Sequence, residues 1–131
     1  MSPLIVIVTV AALLLYFVFG FRVGIMRARH KVEAPAMTGH PDFERAVRIQ
    51  ANTLEWLVIF LPLLWIFADL VSETGAAILG VVWVAGRILY AVGYTRDAAK
   101  RRPGFGIQAL ATLILLVGSL GAAVWALATG G

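Results

Sequence analysis

Residues 3–21, PLIVIVTVAALLLYFVFGF, form an apolar run without a single charged residue. A helix of about 20 such residues crosses the hydrocarbon core of a bilayer, which is about 30 Å thick. No Lys or Arg precedes the run, and no convincing small-residue cleavage site accompanies it, so we expect a membrane span rather than a cleaved signal peptide. The run therefore predicts an integral membrane protein.

Three further apolar stretches follow, and together they predict four spans at about 3–25, 43–68, 75–97 and 105–129. Charged residues make up 14% of the 131 residues, whereas about a quarter is usual in soluble domains. Four spans leave little chain for an extramembrane domain, so we expect one all-α membrane domain over residues 1–131. The chain has no cysteine, and any thiol chemistry must therefore come with a substrate.

The predicted loops differ in charge. Loop two, residues 69–74, carries Asp69 and Glu73 and no basic residue. Loops one and three, with the adjoining helix ends, hold Arg22, Arg27, Arg29, Lys31, Arg45, Arg48, Arg96, Lys100, Arg101 and Arg102. Because basic loops stay cytoplasmic, we expect loops one and three in the cytoplasm and both termini on the opposite side. Basic residues beside long apolar runs also favour a membrane over nucleic acid as partner.

Small residues and prolines predict how the helices pack and turn. The pairs Gly20/Gly24 and Gly118/Gly121 predict close helix approach. Pro103 and Gly104 are expected to end the third helix and turn the chain into the fourth.

The first half of helix two carries a polar stripe. At 100° per residue, Glu44, Arg48, Asn52 and Glu55 fall within about 80° of one another. Such groups on one intramembrane face are costly unless they meet protein or water, which favours a functional site. An interfacial helix end with snorkelling side chains would account for Glu44 and Arg45, but not for the deeper and shorter Asn52 and Glu55.

Helix three carries a matching stripe. Arg87, Tyr90, Tyr94, Asp97 and Arg101 also fall within about 80°. Tyr94 alone could equally belong to an interfacial aromatic belt, but Arg87 deeper in the same stripe favours a site. The two helices together offer guanidinium groups, phenols, an amide and a carboxylate, a set that suits a zwitterionic ligand with several carboxylates.

Two runs resemble a known family. FERAVRIQANTLE, residues 43–55, is similar to the signature of the MAPEG family, the membrane-associated proteins in eicosanoid and glutathione metabolism. GRILYAVGYTR, residues 86–96, resembles the third helix of that family, particularly in its leukotriene synthase branch. The resemblance is collinear over nearly the whole chain. It implies a homotrimer of four-helix subunits, with glutathione held between neighbouring subunits near the cytoplasmic face.

The resemblance also implies which residues contact glutathione, namely Arg27, Arg48, Gln50, Asn52, Glu55, Arg87, Tyr90 and Tyr94. Arg27, Arg48 and Arg87 would pair with its two carboxylates, and Glu55 would accept from its ammonium group. Gln50 projects from a different face of helix two than Arg48. A site shared between subunits could use both faces.

Arg101 matches the family position proposed to stabilise the glutathione thiolate. Lowering a thiol pKa of about 8.5 by two to three units takes about 3–4 kcal/mol. One guanidinium at about 4 Å supplies about that much at an effective dielectric near 20. Arg102 competes for this role, although it could instead contact lipid headgroups. Ala28 and Trp56 replace an arginine and a tyrosine of the leukotriene synthase branch, which favours a broader, bacterial-type or general, glutathione transferase.

The predicted function is a membrane glutathione transferase. Glutathione is the expected cosubstrate, its thiolate adds to hydrophobic electrophiles or reduces lipid hydroperoxides, and no metal is expected. His30 and His40 are predicted loop residues, since His40 and Asp42 lack further ligands at metal-binding spacing. One alternative is a small multidrug exporter, for which the first span lacks the usual ionisable residue. The other is a family member that has lost catalysis and acts as a scaffold.

Overall fold

The fold, taken from a computed structural model that describes residues 1–130, consists of four long helices. They are α1 (Pro3–Arg29), α2 (Pro41–Leu70), α3 (Glu73–Arg96) and α4 (Arg102–Ala128), with a 3₁₀ turn at Ala98–Arg101 before α4. Residues 1–130 contain no β-strand. All four helices are long and apolar enough to cross a membrane. The predicted all-α, four-span architecture is confirmed.

Polar side chains cap the N-termini of three helices. The Ser2 hydroxyl accepts from the Ile5 amide and the Ser72 hydroxyl from the Gly75 amide, at 3.4 and 2.9 Å. His40 Nδ1 accepts from the Asp42 amide at 3.1 Å. These side chains satisfy amide groups that the first helical turn leaves without partners. α1 begins at Pro3 as predicted and continues to Arg29, and α2 is two residues longer at each end than the span predicted from hydropathy.

The expectation for Pro103 and Gly104 is wrong. The third helix ends earlier, at Arg96, where the Asp97 amide donates to the Gly93 carbonyl oxygen at 3.0 Å. The Asp97 side chain caps the 3₁₀ turn that follows, by accepting from the Ala99 amide at 3.0 Å. Pro103 lies in the first turn of α4, where its missing N–H group is not needed for the helix.

The closest helix approach joins α3 to α4. A Cβ atom at Gly86 would lie 2.9 Å from the backbone nitrogen of Gln108, and one at Gly104 would collide with the backbone nitrogen of Tyr90. Both positions therefore need glycine for the two backbones to meet at this distance. This contact brings the start of α4 against the last three turns of α3.

The glycines singled out from the sequence behave differently from one another. A Cβ at Gly118 would lie 2.5 Å from the Phe67 ring, and one at Gly20 would lie 3.2 Å from Gln50 Nε2. Gly24 and Gly121 have no atom within 4 Å of that position. Close approach is therefore confirmed at Gly118 and Gly20, whereas no such approach occurs at Gly24 and Gly121 within residues 1–130 of a single chain.

The core lies midway along the bundle, where the rings of Phe60 and Trp83 stack with centroids 4.1 Å apart. Leu64 and Leu115 of the same cluster are fully buried, and Ile5 extends the cluster towards the end that holds the α2–α3 turn. The outer surface is largely apolar, and a bilayer solvates such a surface.

The two ends of the bundle differ in charge. Met1, Asp69 and Glu73 border one cleft at the end that holds the α2–α3 turn. The ends of α1 and α3 and the starts of α2 and α4 lie at the opposite end, together with nearly all the basic residues. The charge asymmetry expected from the loops is therefore a property of the folded chain.

Candidate functional site

A polar cavity of about 390 Å³ lies at the basic end, where α2, α3 and α4 meet. Its volume falls in the range of small-molecule sites. The residues that line it are Arg48, Asn52, Tyr90, Tyr94, Arg101, Arg102, Phe105 and Gly106. Three of these are arginines and none is acidic, so the lining favours an anionic ligand.

Helical spacing and one glycine position the cavity walls. Arg48 and Asn52 lie one turn apart on α2, and Tyr90 and Tyr94 lie one turn apart on α3. At Gly93 a Cβ atom would collide with the Lys100 carbonyl oxygen. Glycine therefore lets the 3₁₀ turn lie directly against the last turn of α3, which carries Arg101 to the cavity.

Arg101 is held by two contacts. Its Nη1 donates to the Ala98 carbonyl oxygen, and its Cζ lies 5.6 Å from the centroid of the Tyr94 ring, within the range of a cation–π contact. Arg102 also lines the cavity, but it is exposed and makes no side-chain hydrogen bond within residues 1–130. Of the two candidates for a thiolate partner, Arg101 is the one with a restrained guanidinium.

Arg87 lies behind the cavity wall and does not line the cavity. Its side chain is completely buried. Nη1 donates to Asn52 Oδ1 at 2.9 Å, Nη2 donates to Thr53 Oγ1 at 2.7 Å, and Cζ lies 4.1 Å from the centroid of the Tyr90 ring. The expectation that Arg87 reaches a ligand carboxylate directly has no support in this geometry.

Three other residues predicted from the resemblance lie outside the cavity. Gln50 borders an apolar groove of about 740 Å³ on the opposite side of α2, formed mainly by α1. Glu55 is exposed on α2 and makes no ion pair within residues 1–130. Arg27 donates to the carbonyl oxygens of Val32 and Ala36, and its Cζ lies 4.9 Å from the Phe43 ring centroid. Within a single chain, Arg27 therefore holds loop one.

Phe105 and Thr53 were missed by sequence reasoning. Phe105 lines the cavity and meets the Trp56 ring edge-on, with centroids 5.4 Å apart. Phe105 lies four residues after Arg101, and this spacing could have indicated that both side chains face the same cavity. Because Phe105 also begins the fourth apolar run, it was interpreted as part of the membrane span. Thr53 lies about 100° from Asn52 on the helical wheel, outside the polar stripe, and no sequence signal identified it as a partner of Arg87.

Where loop one meets α2, His30 lies beside His40 and Asp42 and adds a third potential ligand that the sequence did not associate with those two. The His30 and His40 rings stack with centroids 3.6 Å apart, and one ligand atom from each lies within 4.8 Å of an Asp42 oxygen. Near-parallel rings point their nitrogen lone pairs side by side rather than at one ion. Since His40 Nδ1 also caps α2, the cluster reads best as the junction between loop one and α2.

Fold and cavity together define the class of protein: a multi-pass integral membrane protein with a cationic cavity, of the size that small molecules occupy, at one end of a four-helix bundle. Residues 5–121 match the model of the MAPEG family. This chain belongs to the MAPEG family.

Three relatives illustrate the similarity. Human microsomal glutathione S-transferase 2 is 41% identical over 80% of this chain and 72% of its own length. Guinea pig (Cavia porcellus) leukotriene C4 synthase is 38% identical over 88% of this chain and 83% of its own length. An uncharacterised protein of the cyanobacterium Synechocystis is 50% identical over 92% of this chain and 88% of its own length.

Proposed function

We propose that this protein is a membrane glutathione transferase that conjugates glutathione to hydrophobic electrophiles. The observation that carries the proposal is the cavity whose lining includes three arginines, Arg48, Arg101 and Arg102, and no acidic residue. Glutathione has two carboxylates, an ammonium group and a thiol, and it becomes more anionic when the thiol ionises. The names of the transferase and synthase relatives support the same cosubstrate.

The chemistry requires only a stabilised thiolate. Arg48 and Asn52 Nδ2 can donate to carboxylate or carbonyl oxygens of the tripeptide, and the restrained Arg101 can face its sulfur. The thiol proton leaves to solvent, and the thiolate sulfur forms a bond to the electrophilic carbon as that carbon releases its leaving group. A fixed positive charge beside the sulfur favours this ionised state.

We also propose that neighbouring copies complete the site in a homotrimer. Glu55 is exposed midway along α2, and an unpaired carboxylate is costly there if the helix spans a bilayer. Gln50 lies on the other side of the same helix, beside the α1 groove. Contact between copies would let both residues reach one glutathione. It would also bring the apolar groove, a path for electrophiles from the bilayer, towards the thiolate.

In this proposal the cavity, loop one and the 3₁₀ turn face the cytoplasm, and both termini lie on the opposite side. The excess of basic residues at the cavity end supports this orientation. Lipid is then a partner of the outer surface. The exporter alternative lacks a carboxylate in α1, and the scaffold alternative predicts binding without turnover.

The test uses the purified protein in detergent, mixed with glutathione and a model aryl halide. We expect a thiolate absorbance on mixing and enzyme-dependent conjugate formation. S-methylglutathione, which has no ionisable thiol, is the control and gives neither signal. Binding of glutathione without thiolate and without conjugate would favour the scaffold alternative, and absence of binding would overturn the glutathione site itself.

A further inference from the structure

Arg87 connects α3 to two consecutive residues of α2. One guanidinium nitrogen donates to Asn52 Oδ1 at 2.9 Å and the other to Thr53 Oγ1 at 2.7 Å. The Thr53 hydroxyl in turn donates to the Ile49 carbonyl oxygen at 2.7 Å, so its lone pairs are left to accept from Arg87. Both ends of the guanidinium are therefore anchored to α2.

This contact fixes which way the Asn52 amide faces. A guanidinium has donors only, so the atom that Asn52 turns towards Arg87 has to be the oxygen. Asn52 also lines the polar cavity, and its Nδ2 makes no hydrogen bond within residues 1–130. The amide is thus oriented to offer its two N–H donors to the cavity.

We propose that Arg87 is a positioning residue, which sets the Asn52 amide so that Nδ2 donates to a carboxylate or carbonyl oxygen of the ligand. Arg87 itself does not contact the ligand. The inference rests on the proposed function in that the ligand used to test it is glutathione. This positioning role replaces the expectation that Arg87 pairs with a glutathione carboxylate.

The burial of Arg87 supports a role beyond packing. A buried guanidinium without a carboxylate partner is costly, and the ion pairs found within residues 1–130 involve only His30, Asp42 and Arg45. The Tyr90 ring, 4.1 Å from Arg87 Cζ, offsets part of that cost. Of the groups that Arg87 contacts, Asn52 is the one whose cavity-facing N–H donors depend on the guanidinium.

A double-mutant cycle on glutathione affinity tests the inference in the full chain in detergent. Asn52→Ala and Arg87→Gln should each raise the Kd about tenfold, the scale of one hydrogen bond to a charged group. The double variant should also stand at about tenfold, because Arg87 acts through Asn52. Arg96→Gln removes the same charge from an exposed position of α3 and should leave the Kd unchanged. Additive losses of about a hundredfold would overturn the inference and make Arg87 a direct contact.

Asn52→Asp supplies a second test that does not depend on how Arg87→Gln folds. An aspartate keeps the Arg87 contact but turns an acceptor towards an anionic ligand. We therefore expect Asn52→Asp to bind glutathione more weakly than Asn52→Ala while unfolding at a temperature no lower than that of the wild type. Tighter binding by Asn52→Asp than by Asn52→Ala would contradict the donor orientation. If wild-type protein binds no glutathione, the proposed function fails instead.

Discussion

The guanidinium of Arg101 lies against the ring of Tyr94, with Cζ 5.6 Å from the ring centroid, although the two residues belong to different elements. Tyr94 is in the last turn of α3 and Arg101 ends the 3₁₀ turn that follows. The contact aims a restrained positive charge at the same cavity that Arg48 and Asn52 enter from α2. On the proposed function, it supplies the charge that ionises the thiol.

Arg101→Ala should shift the pH at which bound glutathione ionises. Without the guanidinium, the thiol pKa returns towards about 8.5, so the midpoint of thiolate formation should rise by about two pH units. Thiolate absorbance as a function of pH measures the midpoint. Arg102→Ala is the matched control and should shift it by less than half as much. A larger shift for Arg102→Ala than for Arg101→Ala would move the thiolate role to Arg102.

Gly93→Ala should displace the 3₁₀ turn. A Cβ atom at this position would collide with the Lys100 carbonyl oxygen, and relief of such overpacking costs about 1–3 kcal/mol. We expect a lower unfolding temperature together with weaker thiolate absorbance. Gly121→Ala, which adds a methyl group where no atom lies within 4 Å, should leave both unchanged. Normal thiolate formation in Gly93→Ala would show that the position of the turn does not matter for Arg101.

Glu55→Gln should weaken glutathione binding about tenfold, because a charge-assisted hydrogen bond to the ligand ammonium is lost. Titration calorimetry with glutathione and with an analogue that lacks the amino group separates this contact from general destabilisation. The analogue should bind wild type and Glu55→Gln equally. Equal losses for both ligands would mean that Glu55 does not meet the ammonium group. Glu44→Gln is the control, because the Glu44 carboxylate already accepts from the Gly39 amide. This variant should bind glutathione as the wild type does.

Arg27→Ala should loosen loop one. The Arg27 side chain donates to the Ala36 carbonyl oxygen at 2.8 Å and to the Val32 carbonyl oxygen at 3.4 Å, and both contacts disappear with the substitution. Limited trypsin digestion should cut at Lys31 faster than in the wild type. Unchanged digestion with a large loss of glutathione affinity would instead make Arg27 a ligand contact in the assembled protein.

The helices and most of the cavity could be predicted from sequence because they depend on local patterns. Apolar length predicts the spans, and the 3.6-residue period places Arg48 with Asn52 and Tyr90 with Tyr94. The role of Arg87 could not be predicted, because residue types and spacing do not distinguish an arginine that faces a ligand from one that faces the Asn52 amide. The α3–α4 contact at Gly86 and Gly104 was also missed, since Gly104 follows a proline and suggested a turn.

Native mass spectrometry in detergent, with and without glutathione, tests the central claim most directly. The proposal predicts a particle of three chains whose mass increases by up to three glutathione molecules, and Arg48→Ala should reduce that increase. A particle that gains no mass at saturating glutathione would contradict the glutathione site. Glutathione bound to a single chain would contradict the site shared between copies.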